Sequence, residues 1–271
     1  MLSSSTAIAV PLLKRPSVVG GEGFAYFFIL SVDININIKY NIKSNEKRRL
    51  SMKYYLFDFD GTLCNTNEGV IKSVEYALDK MGVVNTLTHE QMEPMFIGPP
   101  LTESFPYFFG ENREAVLKAI YYFRERYNTL GVKENKLFDG VRDMLSELKA
   151  RDRSLYICSS KPIGFIQMIL KEHGIGGYFD GVFAPSLDED KLTKYDVIML
   201  AKKQILDADP EPVIYMVGDR KYDVMGAHQA NLECIGVKWG CAEPGEFEAC
   251  GTEYTVSSVK ELLELDTEIN T

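Results

Sequence analysis

The chain has 271 residues, 45% of them hydrophobic and 25% charged, enough apolar material for a sizeable core in one large domain or two smaller ones. A formal net charge of −9 argues against the broad basic surface that tracks a nucleic-acid backbone, yet permits a small phosphorylated metabolite met locally by a metal ion and one or two lysines. Five cysteines without a CxxC pair argue against a disulfide framework or a zinc site and point to a reducing, cytoplasmic setting.

Residues 1–51 differ in composition from everything after them: a Ser-rich start, few acids (Glu22, Asp33, Glu46) and a closing basic run of Lys47, Arg48 and Arg49. The apolar stretch 24–30 is far shorter than the roughly 20 residues that span a bilayer, so no transmembrane helix and no membrane partner are expected. Acid-poor, Ser-rich composition leaves an organellar targeting peptide open. The favoured reading is a non-catalytic extension ahead of a working start at Met52.

From Lys53 onward apolar runs recur at 54–58 (YYLFD), 155–158, 179–184, 213–217 and 234–237, the pattern of strands buried on both faces of a parallel sheet. Helical patterns separate them: Val141, Met144, Leu145 and Leu148, then Ile166, Ile169 and Leu170, then Val197, Ile198 and Ala201. The expected fold is therefore α/β, a doubly wound, Rossmann-like parallel sheet. Residues 67–130 break the alternation and read as helices only, interrupted at Ile97, Gly98, Pro99 and Pro100. The expected division is a core of 52–66 and 131–271 with a helical cap at 67–130.

Ligands of parallel α/β sheets bind at the carboxyl ends of the strands. The polar residues there are Asp58 and Asp60, then Ser159, then Asp219 and Asp223, with Lys194 opening the helix before the fourth strand. Four carboxylates, a hydroxyl and an ammonium suit phosphoryl transfer through an aspartyl phosphate. The acids would repel one another unless a divalent cation such as Mg2+, which favours oxygen ligands, neutralised them.

The Asp58-Phe59-Asp60-Gly61-Thr62-Leu63 segment resembles the DxDGTL first motif of the haloacid dehalogenase superfamily. Ser159-Ser160-Lys161-Pro162 resembles the second motif, Lys194 fits the third, and Gly218-Asp219-Arg220-Lys221-Tyr222-Asp223 resembles the GDxxxD fourth. The wording is most similar to the phosphoglycolate phosphatase-like and 5′-nucleotidase-like branch. The resemblance implies Asp58 as nucleophile and Asp60 as general acid, then base. It further implies Mg2+ held by Asp58, the main-chain carbonyl of Asp60 and Asp219, with Asp223 in support, and a substrate such as phosphoglycolate or a nucleoside monophosphate. An acid at position 60 separates phosphatases from the family's dehalogenases, whose halide leaves without a proton. A phosphosugar mutase keeps both aspartates and is the alternative, while a receiver-like phospho-acceptor module is the alternative from another class.

Blander readings apply elsewhere. His89, His173 and His228 lie outside the motifs and read as surface or satisfied histidines. Cys64 reads as a packed small residue, Trp239 as packing, Lys191 as a solvated loop charge, and Phe105, Tyr107, Phe108 and Phe109 as core of the helical segment.

Overall fold

A computed structural model of the chain describes residues 53–187 and 192–269. The N-terminal stretch 1–51, read as a non-catalytic extension, and Lys191 lie outside the described residues. The chain runs β1 (Lys53–Phe57), β2 (Cys64–Asn65), α1 (Asn67–Lys80), α2 (His89–Phe96), α3 (Leu101–Ser104), α4 (Pro106–Phe109), α5 (Arg113–Tyr127), β3 (Lys136–Leu137), α6 (Val141–Ala150) and β4 (Ser154–Cys158). It continues through α7 (Ile163–His173), β5 (Gly181–Phe183), α8 (Lys194–Ala208), β6 (Val213–Gly218), α9 (Lys221–Gln229), β7 (Glu233–Val237), α10 (Glu246–Cys250), β8 (Tyr254–Val256) and α11 (Val259–Glu268).

The main sheet has the order β5-β4-β1-β6-β7-β8, and every pairing in it is parallel. The chain starts in the middle at β1, winds outward to β5, then crosses back to β6 on the other side of β1, which is the doubly wound order expected. Each strand divides its side chains between two cores. Tyr55, Phe57, Leu155, Ile157, Tyr215 and Val217 join the larger apolar cluster with helices α6, α7 and α11. Tyr54, Leu56, Tyr156, Cys158, Ile214 and Met216 meet α8 and α9 on the opposite face. That two-sided burial is why the strands read as continuous apolar runs rather than as alternating ones.

Two features were not legible in the pattern. The sheet has a sixth strand, β8, at the edge, whose three residues (Tyr254, Thr255, Val256) are too few to stand out as an apolar run. A two-residue antiparallel pair, β2 with β3, joins the two chain passages into and out of the helical insertion.

In the insertion, between residues 67 and 130, the regular elements are the helices α1 to α5, joined by loops. Its own core is aromatic: Phe105 is fully buried, with its ring centroid 5.2 Å from Phe96 and 6.5 Å from Phe123. Tyr107 differs from the expectation, being 63% exposed, because α4 is a single short turn that can bury only part of its aromatic run. Among the described residues no helix is long and apolar enough to cross a membrane.

Candidate active site

β1, β4 and β6 end level, since Phe57 lies opposite both Ile157 and Val217. The residues just beyond them therefore meet at one edge of the sheet. Asp58 extends the ladder by donating its N–H to the Val217 carbonyl at 2.8 Å, and Ser159 does the same to Phe183 at 3.1 Å. The crevice between β1 and β6 is the switch point of the topology, where such sheets bind ligands.

Lys194 reaches this edge from the first turn of α8. Thr193 caps that helix: its Oγ1 accepts from the Asp196 N–H at 3.3 Å while Asp196 Oδ2 accepts from the Thr193 N–H at 2.8 Å. The Lys194 ammonium lies 2.7 Å from Asp58 Oδ1 and 2.9 Å from Asp223 Oδ1, and it donates to the Cys158 carbonyl at 3.2 Å. Burial opposes its charge, but Asp223 and Asp58 outweigh burial and hold its pKa above the ordinary lysine value.

Oxygens of Asp58, Asp219 and Asp223 all lie within 4.8 Å of one another, and the three side chains are buried. Burial first, then the charges of Asp223 and Asp58, pushes the Asp219 carboxyl well above the usual carboxylate range. Burial likewise pushes Asp223 up to about 6, against the pull of Lys194. Asp219 is held on one side by Thr62 Oγ1 at 3.2 Å and on the other by the Cys241 N–H at 2.7 Å. Asp58 Oδ1 and Asp223 Oδ1 accept no well-directed hydrogen bond. Three crowded, buried acids facing one lysine fit a hard divalent cation. Such an ion would neutralise the acids and polarise a phosphoryl oxygen.

The expected site residues thus converge, but in two groups. The Asp60 carboxylate stands apart from the triple cluster: Oδ1 accepts from Thr66 Oγ1 at 2.8 Å, and Oδ2 pairs with Lys161 Nζ at 3.0 Å. Gly61 makes the loop between these groups possible. Its φ is +79°, and a Cβ there would sit 2.1 Å from Asp219 Oδ2.

Lys161 was missed by the sequence reasoning, although it stands two residues past Ser159 inside the recognised run. Its ammonium also donates to Tyr127 Oη at 2.6 Å and lies 4.9 Å from that ring. Asp60 and Tyr127 together raise its pKa although burial opposes the charge. Tyr127, at the end of α5, carried no sequence signal beyond a helical apolar spacing. These groups floor a cleft of about 180 Å³ whose walls include Phe96, Ile120 and Phe123 from the insertion and Phe165 from the core.

The bland readings hold for residues outside the cleft. His89, His173 and His228 each meet a side chain away from the site, namely Glu75, Asn135 and Glu253. Cys64 is fully buried, and Trp239 donates its indole N–H to the Thr62 carbonyl at 3.0 Å.

The sequence profile of the haloacid dehalogenase-like hydrolases matches residues 55–237. The chain belongs to that family. It is 32% identical over 200 residues to a 5′-nucleotidase of Pseudomonas aeruginosa, covering 72% of this chain and 86% of that protein. It is 34% identical over 212 residues to the pyrophosphatase PpaX of Bacillus velezensis, covering 78% and 94%. The crystal structure of a predicted phosphatase from Clostridium acetobutylicum superposes with a TM-score of 0.73 at 38% identity, covering 80% of this chain and 98% of that one.

The crowded acids of this haloacid dehalogenase-like hydrolase carry a pH signature. Because the folded state holds the Asp223 and Asp219 protons more tightly than the unfolded chain does, these two acids contribute less to metal-free stability as pH rises from about 4 through about 6 and above. A divalent cation held by these acids would favour the ionised carboxylates and offset that loss. The expected result is a larger rise in melting temperature on adding magnesium at about pH 7.5 than at about pH 5. Equal shifts at the two values would show that the acid cluster is not where the ion binds.

Proposed function

We propose that this hydrolase, a phosphatase, cleaves small phosphate monoesters through a phosphoryl group carried on Asp58, with Mg2+ bound among Asp58, Asp219, Asp223 and the main-chain carbonyl of Asp60. The observation that supports the reading best is the Lys194 ammonium shared by Asp58 and Asp223 at the floor of the cleft. That cation orients Asp58 and offers positive charge to an incoming phosphate. Ser159, 2% exposed and at the end of β4, supplies a hydroxyl donor for a phosphoryl oxygen. Asp60 protonates the departing alkoxide and later takes a proton from the water that attacks the aspartyl phosphate.

Residues 67–130 serve in this reading as a cap on the core formed by 52–66 and 131–271. The cap excludes water from the phosphoryl-transfer step and contacts the leaving group. The substrate is a small phosphorylated metabolite, with phosphoglycolate or a nucleoside monophosphate the leading classes, and the setting is cytoplasmic.

Family membership sets the receiver-like alternative aside. A phosphosugar mutase differs in mass balance, since it returns the phosphoryl group to a sugar. The test is a panel of phosphorylated metabolites assayed for free phosphate with magnesium and with excess chelator. Magnesium-dependent phosphate release is expected. Isomerised sugar phosphate without net release would favour the mutase, and undiminished release in chelator would overturn the metal assignment.

A further inference from the structure

The side chain of Arg220 is almost wholly buried although it follows Asp219 directly and reaches across to the helical insertion. Its Nε and Nη2 meet the two oxygens of Glu246 at 3.0 and 3.4 Å. Its Nη1 donates to the carbonyls of Pro94 at 3.0 Å and Ile97 at 2.8 Å. Those carbonyls close α2, where a helix leaves acceptors without intrahelical donors and concentrates negative partial charge. A guanidinium can serve a carboxylate and two carbonyls at once because its donors are fixed in a planar fork.

Glu246 is bound to the site from the other side as well, accepting from the Lys221 N–H at 2.6 Å. The main-chain N–H of Arg220 donates to Asp223 Oδ2 at 3.1 Å. Arg220 therefore joins two things, the loop that holds Asp219 and Asp223 and the stretch that follows α2. That stretch wraps the arginine closely: Gly98 has φ +104°, and a Cβ there would lie 3.3 Å from Arg220 Cγ. Beyond it, Pro99, Pro100, Leu101 and Thr102 line the cleft.

We infer that Arg220 is a positioning residue that sets the 98–102 wall against the phosphoryl site and thereby selects the leaving group. The inference rests on the phosphatase reading above. The phosphate end of a substrate lies among Asp58, Ser159 and Lys194 and does not depend on the wall. A bulky alcohol portion extends toward the wall and does.

The experiment uses the full chain with magnesium and compares Arg220→Met and Arg220→Lys with wild type on esters graded in size, from 2-phosphoglycolate through p-nitrophenyl phosphate to nucleoside 5′-monophosphates. Lysine keeps the charge but cannot span Glu246 and both carbonyls. For the bulkiest ester that wild type hydrolyses, KM is expected to rise roughly ten-fold or more in both variants, the scale of a wall displaced by about an ångström. The inhibition constant of inorganic phosphate is expected to stay at its wild-type value. Glu246→Gln, which weakens the hold on Arg220 without substituting any residue of the wall, is expected to move KM in the same direction and by less, and it supplies the answer should Arg220→Met not fold. Equal losses for every ester, or a phosphate inhibition constant that moves with KM, would overturn the inference. If wild type released phosphate from no ester, the phosphatase reading would fall first, an outcome separate from loss of size selection in the variants.

Discussion

Replacing Asp58 with asparagine is expected to abolish turnover and to leave no covalent phosphoenzyme. The substitution keeps the shape of a side chain that is 5% exposed and still within reach of the Lys194 ammonium, so the fold should survive. In the proposed mechanism the substitution removes the anionic oxygen that attacks phosphorus, since an amide oxygen is a poor nucleophile. Asp60→Asn should behave differently. An amide at position 60 can keep its oxygen toward the Lys161 ammonium, which lies 3.0 Å from Oδ2, and turn its NH2 to the Thr66 hydroxyl, which can accept, so position 60 should keep much of its geometry. It loses the proton donor and the base, and turnover on an alkyl phosphate should fall about 10²–10⁴-fold. Formation of the intermediate on an ester with a good leaving group such as nitrophenolate needs little protonation, while its hydrolysis still needs the base. Aspartyl phosphate should therefore accumulate on Asp58 in the Asp60→Asn protein, where mass spectrometry of a rapidly quenched reaction would find it. Phosphate on another residue, or near-native turnover by Asp58→Asn, would refute the nucleophile assignment.

Lys194→Met should impair both stability and catalysis, by separable routes. In the metal-free protein the lysine is the cation that meets Asp58 and Asp223 at ion-pair distance. Removing one partner of a buried pair leaves uncompensated charge and typically costs about 3–5 kcal/mol. The loss should be smaller when magnesium is present, because the ion takes over part of the neutralisation. Catalysis should fall about 10²–10³-fold even with magnesium saturating, the scale of deleting one preorganised electrostatic donor. Urea unfolding with and without magnesium, alongside phosphate-release kinetics, measures the two effects. A midpoint unchanged in metal-free buffer would mean that the lysine does not hold the acid cluster together.

The doubly wound sheet, and the edge at which the candidate site residues gather, were legible in the amino-acid pattern alone. Strands buried on both faces must be apolar along their whole length, so the polar residue ending each run stands out. Asp58, Ser159 and Asp219 were legible for that reason, and Lys194 and Asp223 because each sits in the first turn of the helix beside such an end. Asp60 was legible as the second acid just beyond the first apolar run, in the segment that resembles DxDGTL. Only the tertiary structure decided how these groups divide. Asp58, Asp219 and Asp223 crowd together, while Asp60 turns toward Lys161 and Thr66. That division arises from the loop around Gly61, whose path is set by contact with Asp219, far away in the chain.

The same reason hid the contacts between core and insertion. Lys161 meets Tyr127 across 34 positions, and Arg220 meets Ile97 across 123. Nothing local marks either partner, because a tyrosine at a helix end and a main-chain carbonyl look the same in sequence whether or not a cation reaches them. The short edge strand β8 escaped for a related cause: its pairing with β7 is supplied by the sheet already formed, and three residues are too few to carry a pattern of their own. Local periodicity can specify which face of an element is buried. Which residues of distant elements then touch is decided by how the buried faces pack, and the walls of this cleft belong to that second kind of information.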